Sequence, residues 1–323
     1  MRSIVARLLT FGMTVAPPCA LLVVLTPRDT AAQQRSGKDS SQENPRWSAI
    51  RQVFGQGKAE GNYFRVDLPR TDLHVRIGAD TLEPGLELTS YVGFMPAGTA
   101  AADLMAMGEV VVREDEVPAA LTEARKQGVS VTALHNHLLS ESPHVMYMHV
   151  MAEGSAKAIA TKMHAVFAAT ATPLEPQREQ EGQATNAADW SVIDGILGKH
   201  SEAEGRTAEY EFPRHERLTV HGKSVKSVGT LETASEVVFQ RLGPGRVATA
   251  GELYLLTSEV EAVLRALDEH GLHPTALHNH MLDDGPPHYW VHWYATGDDA
   301  SVATGVSAAL ALMNGARKAS QPD

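Results

Sequence analysis

The sequence predicts an α+β fold of two tandem homologous domains, each a largely antiparallel sheet with a β-α-β-β-α core. Two observations indicate the duplication. The octapeptide TALHNHLL begins at Thr132, and TALHNHML begins 143 residues later, at Thr275. The segments 107–137 and 250–280 align at the same spacing without a gap. A repeat of this length indicates two homologous domains, because the units of solenoid proteins are far shorter.

The elements of the first core follow in order from turn residues and alternation. Residues 109–112 form a predicted strand, and Asp115 begins a helix that ends at Gly128, a residue typical of helix C-termini. The strand that contains HNH comes next, followed by the loop SESPH and a second strand, VMYMHVMA. An amphipathic helix near 155–169 closes the domain.

The second core repeats this order. Ser258 and Glu261 form a predicted capping box at the start of its first helix, and Gly271 ends that helix. The strand HYWVHWYA follows the loop DDGPP, and the last helix is expected near 299–314. Two or three further strands precede each core, such as LHVRIG and LTSYVGF in the first domain.

The domain boundaries follow from composition and from two tryptophans. Trp47 and Trp190 lie 143 residues apart, and each opens a short predicted helix. The stretch between the domains is rich in Pro, Gln and Glu, and the segment before Trp47 is polar. The predicted organisation is a signal peptide at 1–32, a disordered linker at 33–46, a first repeat at 47–171, a linker at 172–189 and a second repeat at 190–323.

The N-terminal segment is typical of an exported protein. Arg2 and Arg7 precede an apolar stretch, and the sequence TAAQ after it offers small residues to a signal peptidase. Pro17 and Pro18 interrupt the apolar stretch, which disfavours a stable membrane-spanning helix. We therefore expect cleavage near Ala32, a periplasmic or secreted location, and no integral membrane span in the mature chain.

Composition narrows the range of partners. The net charge is −11 and the sequence pI is about 5.7, which argues against nucleic acid because phosphate binding requires clustered Lys and Arg. The composition does not exclude a small-molecule ligand. The one cysteine, Cys19, lies in the predicted signal peptide, so the mature chain is expected to contain no disulfide, thiolate metal site or cysteine nucleophile.

Histidines mark one face of the predicted HNH strand in the first repeat. His135 and His137 are two residues apart, so on a strand they point to the same side. His149 follows His137 by twelve residues. A hairpin around a five-residue loop places His149 opposite His135 and Tyr147 opposite His137, so three imidazoles are expected on one face.

The second repeat has the same pattern. His278 and His280 share a strand face, and the predicted hairpin places His292 opposite His278 and Trp290 opposite His280. Three neutral imidazoles with an open position suit Zn²⁺, and also Fe²⁺, Cu²⁺, Ni²⁺ or Mn²⁺. We therefore predict a three-histidine metal site in each repeat. The alternative is that the histidines are structural and only form hydrogen bonds.

Two glutamates are candidates for a further ligand or a catalytic carboxylate. Glu109 and Glu252 occupy equivalent positions on the strand before the first core helix, and each follows a glycine. Glu141 is a weaker candidate, because its counterpart in the second repeat is a shorter aspartate. The alternative for Glu109 and Glu252 is a structural role at the strand end. His144 and His288 lie near the loops, and we expect them to be solvated.

The paired stretches TALHNHLL…SPHVMYMH and TALHNHML…PPHYWVHWYATGD, with PRTDL and GEVVVREDEV, resemble the LppY/LpqO family of bacterial exported proteins, a domain of unknown function. The resemblance covers most of residues 47–315, and the doubled HNH stretch is its most specific part. It implies export and a shared fold, and it assigns no catalytic residue.

Three functional hypotheses stay open. The first is an exported metalloprotein with a three-histidine site in each repeat, up to and including a metal-dependent hydrolase whose metal activates water. The second is a non-catalytic envelope protein that sequesters metal or binds a small ligand. The third is an interaction module whose histidines are only hydrogen-bonded. A preformed pocket with an open coordination position and a nearby carboxylate favours the first hypothesis, and a fully closed site favours the second. Histidines that point away from one another favour the third.

Overall fold

The computed structural model describes residues 44–97, 103–176 and 188–313. The helices of the first repeat are α1 (Pro45–Phe54), α2 (Val117–Gln127) and α3 (Ala156–Ala168). Its strands are β1 (Lys58–Glu60), β2 (Tyr63–Pro69), β3 (Arg76–Ile77), β4 (Asp80–Thr81), β5 (Thr89–Pro96), β6 (Asp103–Arg113), β7 (Ser130–His135), β8 (Glu141–Ser142) and β9 (Val145–Ser155). The predicted signal peptide, residues 33–43 and residues 177–187 lie outside the described residues.

The second repeat has helices and strands in the same order. Its helices are α4 (Ser191–Leu197), α5 (Val260–Glu269) and α6 (Asp299–Leu310), with a short 3₁₀ helix at Gly229–Leu231. Its strands are β10 (Glu202–Glu204), β11 (Thr207–Pro213), β12 (Leu218–Val220), β13 (Lys223–Val225), β14 (Ala234–Gly243), β15 (Arg246–Leu256), β16 (His273–His278), β17 (Asp284–Gly285) and β18 (His288–Gly297). Among the described residues, no helix is both long and apolar enough to cross a membrane.

Each repeat forms one six-stranded sheet and one small three-stranded sheet. The six-stranded sheets have the orders β1-β2-β5-β6-β9-β7 and β10-β11-β14-β15-β18-β16, and their neighbouring strands are antiparallel. The small sheets are β4-β3-β8 and β13-β12-β17. The predicted α+β class, the tandem duplication and the β-α-β-β-α core are confirmed.

Several predicted details differ from the structure. Five strands precede the first core strand of each repeat, β6 or β15, where two or three were predicted. LHVRIG supplies only the two-residue β3, which belongs to the small sheet rather than the main sheet. The predicted capping box is wrong. The N-cap of α5 is Glu259, no side chain caps the helix, and Ser258 and Glu261 only flank that position.

A buried arginine explains why a glutamate stands at the start of each core helix. Arg214 donates from Nη1 and Nη2 to the Glu259 carboxylate at 2.8 and 3.0 Å, and from Nη1 to the Tyr254 carbonyl at 2.8 Å. Arg70 binds Glu116 in the same way in the first repeat. Both arginine side chains are at most 1% exposed. Each pair connects the start of a core helix, α2 or α5, to the residue that follows β2 or β11.

Alternation along the central strands gives each main sheet an outer and an inner face. On β6, Val110 and Val112 belong to the core that contains the helices, whereas Met107 and Val111 belong to inner clusters. Glu109 lies between these two, so it also points to the inner face. Helices α1, α2 and α3 cover the outer face of the first sheet, and α4, α5 and α6 cover that of the second.

The inner faces of the two sheets pack against each other, which gives four layers in the order helices, sheet, sheet, helices. One inner cluster joins Val111 of the first repeat to Val238 of the second, and another joins Met107 to Trp290. A Cβ on Gly93 of β5 would lie 1.7 Å from the Thr230 carbonyl oxygen, so only glycine permits this approach. The repeats therefore share a core rather than folding as separate domains.

Candidate metal centre

All six predicted histidines lie in one cluster between the inner faces of the two sheets: His135, His137, His149, His278, His280 and His292. Four of them are at most 4% exposed, and only His135 and His278 keep partial exposure at the ends of β7 and β16. The two groups of three that the sequence predicts therefore meet in a single cluster.

The register of the hairpins differs from the prediction by two residues. β9 pairs His149 with Ala133 and Tyr147 with His135, and β7 ends at His135. The predicted five-residue loop is a nine-residue connection, 136–144, whose strand β8 pairs with β3. Because the shift is even, His149 still points to the face of His135. The second hairpin shows the same shift.

The imidazole rings form two layers, one from each repeat. We call His135, His137 and His149 the first layer, and His278, His280 and His292 the second layer. The layers stack face to face, with ring centroids 3.4 Å apart for His135 and His278, 3.7 Å for His137 and His292, and 3.7 Å for His149 and His280. A two-fold exchange of the repeats therefore relates the layers.

The Nδ1 atoms of five rings hydrogen-bond to oxygen acceptors, and that of His280 lies near a carboxylate without forming a hydrogen bond. His137 Nδ1 contacts the Glu87 carboxylate, and His149 Nδ1 and His280 Nδ1 lie 2.9 and 3.2 Å from Glu232 Oε2. The other three Nδ1 atoms lie 3.1 to 3.4 Å from backbone carbonyl oxygens, His135 from Asn136, His278 from Asn279 and His292 from Gly251. An acceptor beside Nδ1 favours the tautomer with the proton there, which leaves a lone pair on Nε2.

The Nε2 atoms point into the cluster. Those of His135 and His149 are 2.8 Å apart. Those of His137, His278, His280 and His292 are buried and have no hydrogen-bond partner among the described residues. Lone pairs at such a distance repel unless a proton or a cation lies between them. Nitrogen donors that converge while their other nitrogen is held by an acceptor are typical of histidine metal ligands.

Both predicted glutamates reach the layers. Glu109 Oε2 lies 3.2 Å from His137 Nε2 and 3.3 Å from His149 Nε2, so one atom of Glu109 and one of each first-layer ring lie within 4.8 Å of one another. Glu252 Oε2 lies 3.5 Å from His280 Nε2 and 4.0 Å from His292 Nε2. The weaker candidate, Glu141, lies outside the cluster and contacts His144.

Two carboxylates of the cluster were not predicted, Glu87 and Glu232. Both adopt a left-handed backbone, with φ of 66° and 54°, which non-glycine residues rarely do and which turns their side chains toward the histidines. The signal in the sequence is a recurring L-E-x-x-S, at 86–90 and 231–235, with a spacing of 145 rather than 143. A comparison restricted to the gapless register misses it.

Burial and neighbouring charges shift the pKa values of the histidines in opposite directions. Burial, and then the positive charges that His149 and His137 can carry, lower the pKa of His278 to about 3. Burial likewise lowers the pKa of His135, His280 and His292. Burial also acts on His137, but the Glu109 and Glu87 carboxylates outweigh it and raise its pKa to about 9.

The pKa values of two carboxylates, Glu252 and Glu232, also shift in opposite directions. Burial, and then the charges of Glu236, Glu232 and Glu109, raise the pKa of Glu252 well above its ordinary value. Burial opposes ionisation of Glu232 as well. The charge of His149 and the hydrogen bonds from His149 and Tyr91 nevertheless lower the pKa of Glu232. The cluster therefore concentrates negative charge that a bound cation would offset.

Aromatic rings close the outer sides of the layers. Tyr147 stacks on His137 at 3.5 Å and Trp290 on His280 at 4.0 Å. His137 and His280 thus each have a ring of the other layer on one face and an aromatic side chain on the other. The expectation that His288 is solvated is wrong: it is 1% exposed and stacks on Tyr254 at 4.2 Å.

The space beside the cluster is small. A cavity of about 10 Å³ is lined by Met107, His149, Glu232 and His280 among others, which is roughly the space of one water molecule. A wider hollow of about 530 Å³, lined by Arg206 and other residues, includes none of the six histidines. The cluster therefore suits a bound ion better than a bulky organic molecule.

Comparison with known proteins gives one family. The model described as "Domain of Unknown Function (DUF1259)" matches residues 48–169 and residues 191–312. The chain belongs to this family. The two matches correspond to the two repeats, so the cluster lies between two copies of the family's domain. None of the curated proteins matches the chain.

One solved structure is weakly similar, a trimeric bacterial microcompartment shell protein, PduB. It shares 11% identity over 80% of this chain and 89% of that chain, with a TM-score of 0.19. A likeness of this size supports no conclusion about the fold or function of the DUF1259 chain.

Proposed function

We propose that this DUF1259 protein binds divalent transition-metal ions in the histidine cluster between its repeats. One observation carries the proposal. Five of the six rings hydrogen-bond through Nδ1 to oxygen acceptors, while four buried Nε2 atoms have no hydrogen-bond partner among the described residues, those of His137, His278, His280 and His292. If the histidines were only structural, their Nε2 atoms would also need partners, because an unpaired buried polar group costs free energy.

The donor chemistry supports a transition metal. Neutral imidazole nitrogens suit Zn²⁺, Cu²⁺, Ni²⁺ and Fe²⁺, whereas Ca²⁺ and Mg²⁺ prefer all-oxygen sites. The carboxylates on Nδ1 of His137 and His149 would orient the rings and raise their basicity, as outer-shell carboxylates do in metalloproteins.

Elemental analysis of the purified protein tests the proposal. The wild-type chain is loaded with Zn²⁺, Ni²⁺ or Cu²⁺, desalted and compared with the double variant His135→Ala, His278→Ala. The matched control is His74→Ala, His215→Ala, which removes one exposed histidine from each repeat. We expect the control to retain the metal of the wild type and the cluster variant to lose most of it.

Absence of metal from the wild-type protein after loading would overturn the proposal. It would leave the structural role of the histidines as the better explanation. Equal metal content in the cluster variant and the control would also overturn it, because the ions would then lie elsewhere.

A metal-dependent hydrolase is the second candidate. It is favoured by Glu252, a carboxyl group beside the second layer whose pKa is raised by burial, and by the partial exposure of His135 and His278. A bound metal would supply an activated water there, and a protonated Glu252 could donate a proton to a leaving group. The test is hydrolysis of phosphate and carboxylate esters that requires metal and is lost in Glu252→Gln.

We also propose that the protein is exported and that it is related to the LppY/LpqO family. The N-terminal segment supports export with cleavage near Ala32, and the doubled HNH stretch supports kinship with the LppY/LpqO family. N-terminal sequencing of periplasmic or secreted material tests the first. An intact Met1 in the membrane fraction would contradict it.

A further inference from the structure

The geometry points to a dinuclear centre: two divalent ions, one in the plane of each histidine layer, of a metal such as Cu²⁺ or Ni²⁺ that accepts tetragonal coordination. This inference rests on the proposed metal binding and adds the number, separation and coordination of the ions. It differs from two independent three-histidine sites, because the two ions would face each other across the stacked layers.

The second layer defines a point that suits one ion. Its ring centroids are 4.9 Å apart for His278 and His280, 5.0 Å for His278 and His292, and 6.5 Å for His280 and His292. A point equidistant from the three centroids lies about 3.3 Å from each. An Nε2 aimed at that point comes within about 2.1 Å of it, which is the length of a metal–nitrogen bond. His280 and His292 then lie on opposite sides of the ion.

The first layer has the same plan with Glu109 as its fourth ligand. His149 Nε2 lies 2.8 Å from His135 Nε2 and 3.3 Å from Glu109 Oε2, and His137 Nε2 lies 3.2 Å from the same oxygen. Glu109 is thus next to His137 and His149 and opposite His135. Adjacent ligands in a square plane lie about 2.9 Å apart, against about 3.4 Å in a tetrahedron with bonds of this length. The 2.8 Å distance matches the square plane, and the 3.2 and 3.3 Å distances lie between the two values.

Two rings of each layer are nearly parallel, and the third is tilted. The interplanar angle is 8° for His135 and His149 and 1° for His278 and His292, whereas His137 and His280 are tilted by 24° to 26° from rings of their own layer. The placement of His280 and His292 on opposite sides of the central point favours a planar ligand set over a tetrahedral one. A square-planar or tetragonal set of nitrogen and oxygen donors is typical of Cu²⁺ or Ni²⁺, whereas Zn²⁺ prefers a tetrahedron.

The stacking sets the distance between the ions. Facing rings are 3.4 to 3.7 Å apart, so the centres of the two layers are separated by roughly the same length. Two-metal sites in proteins hold their ions about 3.5–4 Å apart. Among the described residues, one set of donor atoms within 4.8 Å of one another contains the three first-layer rings with Glu109, and another contains the three second-layer rings together with His135 of the facing layer.

The charge of the cluster matches two ions. Four carboxylates surround the rings, and the side chains of Glu87, Glu109 and Glu232 are at most 9% exposed, that of Glu252 11%. Two divalent ions bring four positive charges to these four groups.

Copper titration with electron paramagnetic resonance tests the inference. The metal-free wild-type protein receives Cu²⁺, and bound copper is measured by elemental analysis and by spin counting. We expect about two ions per chain. We also expect a spin count well below the copper content and a half-field signal, because ions this close couple magnetically.

A layer variant gives the matched comparison. In His278→Ala, His280→Ala we expect one ion per chain, an axial spectrum typical of a tetragonal site, and a spin count equal to the copper content. The counterpart His135→Ala, His137→Ala should behave alike, and His74→Ala, His215→Ala should match the wild type.

The outcomes separate the two proposals. No bound copper would overturn the proposed metal binding itself. One ion per chain, or two ions with a full spin count, would leave metal binding intact and overturn the dinuclear centre. A rhombic or tetrahedral spectrum in the single-layer variants would overturn the planar coordination.

Discussion

Glu232 shows how one residue links the two layers. Its Oε2 lies 2.9 Å from Nδ1 of His149 in the first layer and 3.2 Å from Nδ1 of His280 in the second. Tyr91 donates a hydrogen bond to its other oxygen. Since the backbone of Glu232 is left-handed, the chain accepts local strain to keep the carboxylate in place. Such strain at a residue that touches both layers is consistent with a functional role.

Replacing Glu232 by Gln should weaken metal binding by about 10- to 100-fold, as loss of an outer-shell carboxylate does elsewhere. Gln has the same size and the same backbone cost, so the change removes mainly the charge. Competition with a chelator of known affinity measures the effect. The control is Glu204→Gln on the exposed strand β10 of the same repeat. Unchanged affinity in Glu232→Gln would contradict the assigned role.

At the residue scale the sequence identifies the histidines better than their carboxylate partners. Recurrence and even spacing are enough to place His135, His149 and their counterparts on one face. They are not enough for Glu87 and Glu232, which lie outside regular strands and reach the cluster through a left-handed backbone. The sequence likewise does not predict the burial of His288, because its packing against Tyr254 depends on a contact between strands.

At the scale of the elements, the arginine–glutamate pairs fix each core helix to its sheet. In place of a capping side chain, Glu116 and Glu259 turn inward to Arg70 and Arg214. Both glutamates also accept a hydrogen bond from the backbone of the preceding turn, at 2.8 Å. Each core helix, α2 or α5, is therefore held in a fixed arrangement against the strand that carries Glu109 or Glu252, β6 or β15.

Replacing Arg214 by Ala should destabilise the protein by about 3–5 kcal/mol, because it leaves the buried Glu259 carboxylate without its cation. The matched control, Arg113→Ala, removes an arginine from an exposed pair with Asp115 and should cost about 0–1 kcal/mol. Urea unfolding followed by circular dichroism measures both. Similar midpoints for the two variants would show that the buried pair contributes no more than the exposed one.

The hairpins show which part of an element a sequence can specify. The even spacing of the histidines predicts that they share one face of the sheet, and the structure confirms this. The predicted register of the hairpin is wrong for two reasons. Residues 136–144 contain β8, which pairs with β3, rather than a tight turn, and the pairing of β7 has an irregularity between Val131 and Ala133. Both features depend on partners far away in the chain.

At the scale of the whole molecule, duplication creates a site that neither repeat has alone. Each repeat brings three imidazoles to its inner face, and packing of the two inner faces brings the layers within 3.7 Å. A sequence with an internal repeat predicts two similar domains, but not which faces they bury against each other. The buried polar face is the remaining clue, since a row of histidines and glutamates on an inner strand needs partners.

Because the proposed ligands come from both repeats, metal should stabilise the whole molecule in one unfolding transition. Each ion at 100 times its dissociation constant adds about 2.7 kcal/mol, which for a chain of this size corresponds to an increase in Tm of roughly 4–5 °C per ion. Scanning calorimetry with and without micromolar Ni²⁺ measures the difference. Two separate transitions, of which metal shifts only one, would contradict a centre shared by both repeats.

The size of this increase should depend on pH through His137. Its pKa is raised to about 9, so the metal-free protein holds a proton there at neutral pH, and metal must displace that proton. The raised pKa stabilises the metal-free fold below pH 6.5, and this stabilisation is lost as the pH rises toward 9. The other layer histidines with lowered pKa bind no proton in this range. The gain in Tm from metal should therefore be larger at pH 8.5 than at pH 7, and an equal gain at both would show that His137 is not a ligand.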